Sequence, residues 1–202
     1  MRLVLVRHGE SVGNFENRLQ GQADFDLTER GRKQAELTAD RLLDLGVRAV
    51  YTSHLLRAHQ TALIFGERLG VEPELLHDVS EYHFGELSGQ TYAEIRERFG
   101  AATNPADRVY PGEEGREAFF QRVTQALWKV VDAHPGETVA VVSHGGPIAL
   151  FCQLVLGLPY KRPMPFSINN CSLNIIEAQE TPLQRRAMLL RLNDTCHLAG
   201  LK

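Results

Sequence analysis

Apolar positions along this chain follow two rhythms. Short, mainly apolar runs occur at "RLVLV" (2–6), "VRAVYTS" (47–53) and "ETVAVVS" (137–143). Each has the length and β-branched content of a buried strand. Between them lie longer stretches in which apolar residues recur at helical spacing. In "LTERGRKQAELTADRLLDLG" (27–46), Thr28 is the N-cap and Ala35, Leu42 and Leu43 form the inward side. "LLRAHQTALIFGERLG" (55–70) is a second helix ended by glycine, and "TYAEIRERFG" (91–100) a short one. "REAFFQRVTQALWKVVDAHPG" (116–136) is a third long helix, whose Phe119, Phe120, Val123, Leu127 and Trp128 form a packed face. "PIALFCQLVLGLP" (147–159) is a helix with proline in its first turn.

Three stretches break the alternation. "VEPELLHDVSEYHFGELSG" (71–89) reads as a strand followed by a long polar turn region, and Pro105 with "YPGEEG" (110–115) as an exposed loop. "SLNIIEA" (172–178) and "AMLLRLND" (187–194) read as two late strands forming a hairpin. Alternating strands and helices predict a three-layer α/β/α sandwich with a mainly parallel sheet, whose ligand site lies beyond the C-terminal strand ends.

Composition narrows the function. The 202 residues are 43% apolar and 23% charged with a net charge of −3, so no broad basic surface for nucleic acid or acidic lipid is expected. The opening apolar run is too short for a signal peptide, and no run reaches the roughly 20 residues of a membrane span. Cys152, Cys171 and Cys196 are odd in number and lack metal or redox spacing. They are expected to be reduced, buried small hydrophobes in a cytoplasmic protein.

The chemistry concentrates where the strands end. "RHG" (7–9) and "SHGG" (143–146) each follow an aliphatic strand, so neighbouring strands would aim His8 and His144 into one cavity. Gly9, Gly145 and Gly146 would let backbone N–H groups approach an anion. Arg7 supplies fixed charge beside His8, and Arg57 stands near the start of the second helix. Two histidines could also ligate zinc with Glu81, His83 or Asp26 as a third ligand, but Arg7 would repel the cation and no HExxH or Cys–His cluster occurs. Glu81, in "SEYHFGELSG" (80–89), is a carboxylate suited to acid–base work, with Glu10, Glu86, Glu113 and Glu114 as competitors. There is no P-loop, no GxSxG elbow and no compact Cys-to-Arg loop, which leaves histidine as the nucleophile most compatible with the site.

Taken in order, "RHGE" with Asn14, "QGQADFDLTERGRKQA" (20–35), "YTSHLLRAHQTA" (51–62), "SEYHFGELSG", "VVSHGG" and "NDTCHL" (193–198) resemble the histidine phosphatase superfamily in its phosphoglycerate-mutase-like branch, over nearly the whole chain. The resemblance implies a single domain over residues 1–202 and a metal-independent phosphomonoesterase of the histidine acid phosphatase kind, needing no cofactor. It implies that His8 becomes phosphohistidine, that Arg7, Arg57 and His144 hold the phosphoryl oxygens, that Glu81 protonates the leaving oxygen, and that Asn14 binds or positions the phosphoryl group. His8 would have its other ring nitrogen tied to a backbone carbonyl, and a bound anion would favour a protonated His144. The expected substrate is a small phosphorylated metabolite. The alternatives are a phosphoglycerate mutase and a non-catalytic phosphate- or protein-binding relative. Mutases of the family carry a longer, more basic mid-chain insertion, whereas residues 98–115 hold only Arg98 and Arg108.

Several residues stay open between two roles. His54 stands where this family often has proline, and His83, two residues after Glu81, is either a substrate contact or structural. Phe15, Phe25, Tyr82 and Phe84 are leaving-group pocket or core. His59, His77 and His134 read as surface or element-end residues. Family members are monomers or homodimers, and the late hairpin could form an edge.

Overall fold

The structure is a computed structural model that describes residues 1–100, 110–159, 165–181 and 184–201. Six strands form one sheet: β1 (Arg2–Arg7), β2 (Ala49–Thr52), β3 (Glu74–Leu75), β4 (Thr138–Ser143), β5 (Leu173–Thr181) and β6 (Gln184–Asp194), in the order β3-β2-β4-β1-β5-β6. The first four in that order run parallel, while β5 joins β1 antiparallel and β6 joins β5 antiparallel. The mainly parallel sheet therefore ends in the hairpin expected from the sequence, with β6 as its edge.

Strands β1 and β4 explain the layering. Leu3 to Val6 and Val139 to Val142 are all fully buried, because side chains alternate between two covered faces. Leu3, Leu5, Val139 and Val141 pack against α5 (Arg116–Ala133) and α6 (Gly145–Val155). Val4, Val6, Ala140 and Val142 pack on the other side against α2 (Glu29–Asp44) and α3 (Leu56–Leu69). This is the α/β/α sandwich that the pattern predicts.

Local chemistry sets the element ends. The Thr28 hydroxyl accepts the Gly31 N–H at 3.0 Å and opens α2, and Gly70 closes α3 with φ of 70°. A capping box of Thr91 and Glu94 starts α4 (Tyr92–Phe99). Another, between Ser11 and Asn14, starts α1 (Val12–Phe15), a single turn that apolar periodicity does not reveal.

Other expectations need correction. Helix α5 stops at Ala133, since Pro135 disfavours a helical His134. Helix α6 starts two residues earlier than expected, with His144 as its N-cap and Pro147 still in the first turn. The strand in 71–89 shrinks to Glu74–Leu75, paired only to Tyr51 and Thr52, and short 3-10 turns follow at His77–Val79 and Gly85–Leu87. Leu43 points to solvent while Ala39 takes its place in the core. Tyr110 is not exposed: it packs with Leu19, Leu87 and Ile95 in a small second cluster. Pro105 and Arg108 lie outside the described residues. Cys152 and Cys171 are buried, but Cys196 is exposed, since the short 3-10 turn Cys196–Leu198 lies on the surface. Trp128 is half-buried with its ring edge-on to Phe151 at 5.3 Å, in keeping with a packed helix face. No described helix is long and apolar enough to cross a membrane.

Candidate active site

Three neighbouring strand ends build the site. Arg7 is the last residue of β1, Ser143 the last of β4, and the two are in register. The His8 N–H donates to the Ser143 carbonyl at 3.0 Å, so the chain leaves both strands side by side. His8 and His144 consequently face each other with ring centroids 5.2 Å apart. Strand β2 lies on the other flank of β4 and delivers Ser53 and then Arg57.

His8 has a defined tautomer. Its Nδ1 lies 2.7 Å from the Gly9 carbonyl, which can only accept, so Nδ1 carries the proton. Burial, then Arg57 and Arg7, push the His8 pKa well below its ordinary value, and the ring is neutral. Nε2 therefore keeps its lone pair, which accepts the Arg57 Nε–H at 3.2 Å. His144 is likewise held neutral by burial and by Arg57, His8 and Arg7. Its Nε2 lies 2.9 Å from the Ser53 hydroxyl, and its Nδ1 is buried with no hydrogen-bond partner among the described residues.

The two arginines are anchored by backbone carbonyls. Arg57 is almost wholly buried and donates to Ala23 O at 2.8 Å and Gly21 O at 2.7 Å, which explains why the "QGQAD" segment belongs to the site. Burial lowers it to about 10, still charged at neutral pH. Arg7 donates to Ile168 O at 2.6 Å, and its Nε is buried without a partner among the described residues. Burial lowers Arg7 too, while the Glu81 charge opposes the shift in both arginines.

Glu81 is brought to the same cavity. Its Oε1 accepts the Tyr82 N–H at 2.9 Å and its Oε2 the Gly146 N–H at 3.1 Å, two residues beyond His144. The competing carboxylates are occupied elsewhere: Glu10 with Thr28 and Arg30, Glu86 with Arg98, and Glu114 with Arg122. Glu113 lies in a bridge to Phe84. Two of the three glycines, Gly9 and Gly146, act differently from expectation. The Gly9 N–H donates to the Thr61 hydroxyl and the Gly146 N–H to Glu81, so neither amide is left for an anion. What their missing side chains allow is close packing, of Gly9 on the Gly31 carbonyl and of Gly146 on the Glu81 carboxylate.

Asn14 is placed beside the site by its Oδ1, which accepts from Ser11 and from Asn170 Nδ2 at 3.1 Å. Asn170 also donates to the His8 carbonyl at 2.9 Å. His83 has a structural engagement: its Nδ1 accepts the Gly85 N–H at 3.1 Å. His54 is exposed and stacks on His77 with centroids 4.6 Å apart. His134 bridges Tyr51 and Glu137 rather than standing free. Tyr82 is core, against Phe84 and Phe119, whereas Phe15 is 75% exposed and Phe25 half-buried. Among the described residues no three His, Cys, Asp or Glu side chains gather as a metal-ligand set.

Sequence reasoning missed Ser53, Thr61, Gln22 and Asn170. Thr61 links Gly9 to the Arg57 carbonyl at 2.7 Å, and Gln22 donates to the Glu81 carbonyl at 3.0 Å. Ser53 had a signal, a polar residue directly after an apolar strand. Asn170 had none, because its partners lie at the other end of the chain.

Comparison with known proteins agrees with this geometry. The family model of the histidine phosphatase superfamily (branch 1) matches residues 3–195. Phosphoserine phosphatase 1 of Hydrogenobacter thermophilus is 35% identical over 98% of this chain and 94% of its own length. A probable phosphoglycerate mutase GpmB of Cronobacter sakazakii is 33% identical over 90% of this chain and 87% of its own. A mycobacterial glucosyl-3-phosphoglycerate phosphatase solved with VO3 superimposes with a TM-score of 0.86 at 29% identity, covering 96% of this chain and 99% of its own. With His8 and His144 at adjoining strand ends and Arg7, Arg57 and Glu81 gathered beside them, the chain belongs to the histidine phosphatase superfamily, branch 1.

Proposed function

We propose that this protein hydrolyses phosphomonoesters of small metabolites through a phosphohistidine on His8, with residues 1–202 acting as one catalytic domain. The observation that carries the reading is the His8 ring: neutral, buried, with its lone pair at Nε2 and a guanidinium beside it. A neutral imidazole is the form that can attack phosphorus.

The steps follow from the positions. His8 Nε2 attacks phosphorus and the P–O ester bond breaks. Arg57, Arg7 and His144 stabilise charge on the three non-bridging oxygens. The Arg57 Nε–H that rests on His8 Nε2 turns to a phosphoryl oxygen as the N–P bond forms. Glu81 delivers a proton to the leaving oxygen. Glu81 then takes a proton from water as the water attacks the phosphohistidine, and phosphate leaves with Nε2 restored. Asn14 supports the phosphoryl site through its amide NH2, since its Oδ1 is already engaged. For His83, the Gly85 N–H on Nδ1 supports the structural one of its two roles. No metal or cofactor takes part in these steps.

The phosphatase names of the Hydrogenobacter and mycobacterial relatives support hydrolysis as the outcome. The mutase name of the Cronobacter relative favours a second reading, in which the same phosphohistidine returns its phosphate to the substrate. The three free cysteines support a reducing, cytoplasmic compartment.

The test is phosphate release over a panel of phosphorylated metabolites, run beside His8→Ala. The variant is expected to lose at least about a thousandfold in rate and to form no acid-labile phosphoenzyme. Equal rates for the two proteins refute the nucleophile. Isomerised phosphoglycerate without free phosphate selects the mutase.

A further inference from the structure

Glu81 stands in a segment between two 3-10 turns, outside every helix and strand. A general acid must nevertheless be held to a fraction of an ångström. Its carboxylate is fixed by two amides, but its backbone needs support of another kind.

That support is one guanidinium. Arg122, on α5, has five N–H donors, and all five are matched. Nη1 donates to Asp78 O at 2.7 Å and Ser80 O at 2.8 Å. Nη2 donates to Glu81 O at 3.0 Å and Glu114 Oε1 at 2.8 Å, and Nε donates to Glu114 Oε2 at 2.7 Å. Glu114 closes the other side, its Oε1 accepting the His83 N–H at 2.8 Å and its own N–H donating to His83 O at 3.2 Å. The Arg122–Glu114 pair thus grips the chain before, at and after Glu81. Both side chains are more than four-fifths shielded from water, and the guanidinium lies 4.9 Å over the Phe119 ring.

We propose that Arg122, braced by Glu114, is the positioning residue of the general acid. With every donor engaged by protein, it has none for phosphate and acts only through Glu81. The inference rests on the reading of Glu81 as the acid. Helix α5 is anchored to the sheet by its apolar face, so the grip on 78–83 is a separate task. Lysine cannot replace it, because one nitrogen with three donors cannot reach four acceptor groups spread around a planar fork.

The experiment uses esters that differ in their need for an acid. Nitrophenyl phosphate releases a stable phenolate, whereas an alkyl phosphate releases an alkoxide that must be protonated. Wild type, Arg122→Lys, Glu114→Gln, Glu81→Gln and the Arg122→Lys/Glu81→Gln double variant are assayed on both, with thermal midpoints recorded. Arg122→Lys and Glu114→Gln are expected to lose about tenfold to a hundredfold in kcat/KM on the alkyl ester, the parameter that ends at phosphoenzyme formation and leaves out the later step in which Glu81 acts as base. On the nitrophenyl ester they are expected to lose less than about threefold. In the double variant, Arg122→Lys should add no further loss on the alkyl ester, because two groups acting as one unit are not additive. Equal losses on both esters, or full additivity in the double variant, overturn the proposal and leave Arg122 a structural residue. Should Glu81→Gln itself lose equally on both esters, the acid assignment fails and the proposal falls with it. A steep ester dependence in Glu81→Gln but not in Arg122→Lys defeats the positioning role alone. A variant that fails to fold is replaced by Glu114→Gln, which keeps an acceptor for His83.

Discussion

At the scale of single residues, the site is governed by burial working against charge. His8 and His144 both have pKa values pushed well below 6.5, first by desolvation and then by the neighbouring cations Arg57 and Arg7, with His54 adding to the effect on His144. The sign of the linkage follows. Below about 6.5 the unfolded chain takes up protons at both rings while the folded chain does not. The stability these rings contribute is complete above that pH and is lost as pH falls toward their folded values. Denaturant midpoints of the free protein are therefore expected to drop from pH 7 to pH 5, and less so in His144→Gln, which removes one of the two groups. A bound dianion reverses the electrostatic part of the shift, since it faces the same rings that the arginines repel. Phosphate or vanadate should accordingly flatten the drop, and an unchanged acid slope with ligand present would count against the placement of the anion between the histidines.

At the scale of elements, what matters is how closely two of them meet. Helix α6 starts at the site, and its second residue, Gly146, lies where a side chain would collide with the Glu81 carboxylate. The atom that must yield most is the far end of a flexible side chain, with the buried Phe119 ring 3.3 Å away giving by a few tenths of an ångström, while alanine at a helical position gains up to about 1 kcal/mol over glycine. Gly146→Ala should thus shift stability by no more than about 1 kcal/mol, as read from urea unfolding. Turnover of an alkyl phosphate should fall roughly tenfold or more if Glu81 is the acid, because its carboxylate is moved off its amide. A large loss of stability with unaltered turnover would show that the contact matters for packing alone. The aliphatic runs, the Thr28 cap and the glycine stop at 70 were all legible from residue pattern. The two-residue β3 and the single turn α1 were not. Each is held by partners distant in sequence or by a cap alone, with too few apolar positions to generate a period.

At the scale of the whole molecule, the two faces of the sheet decide which groups water can reach. Cys152 and Cys171 lie in opposite core clusters, and burial pushes each thiol up to about 12. Cys196 is exposed, although its bond to Asp194 raises its pKa too. A thiol reagent is expected to label one cysteine in the native protein, slowly, and all three in denaturant. Labelling of Cys171 at the native rate of Cys196 would mean that the layer formed by α2 and α3 opens readily.

By itself the sequence determined the alternating layers and singled out His8, His144, Arg7, Arg57 and Glu81 as candidates for the site. Apolar periodicity and short motifs are local properties and survive without knowledge of the fold. Only the tertiary structure decided that β5 turns antiparallel beside β1, that Asn170 reaches His8, and that Arg122 and Glu114 hold the segment around Glu81. Those are contacts between segments far apart along the chain, made by polar residues whose partners are chosen by where the strands and helices place their ends, and no spacing in the sequence encodes them.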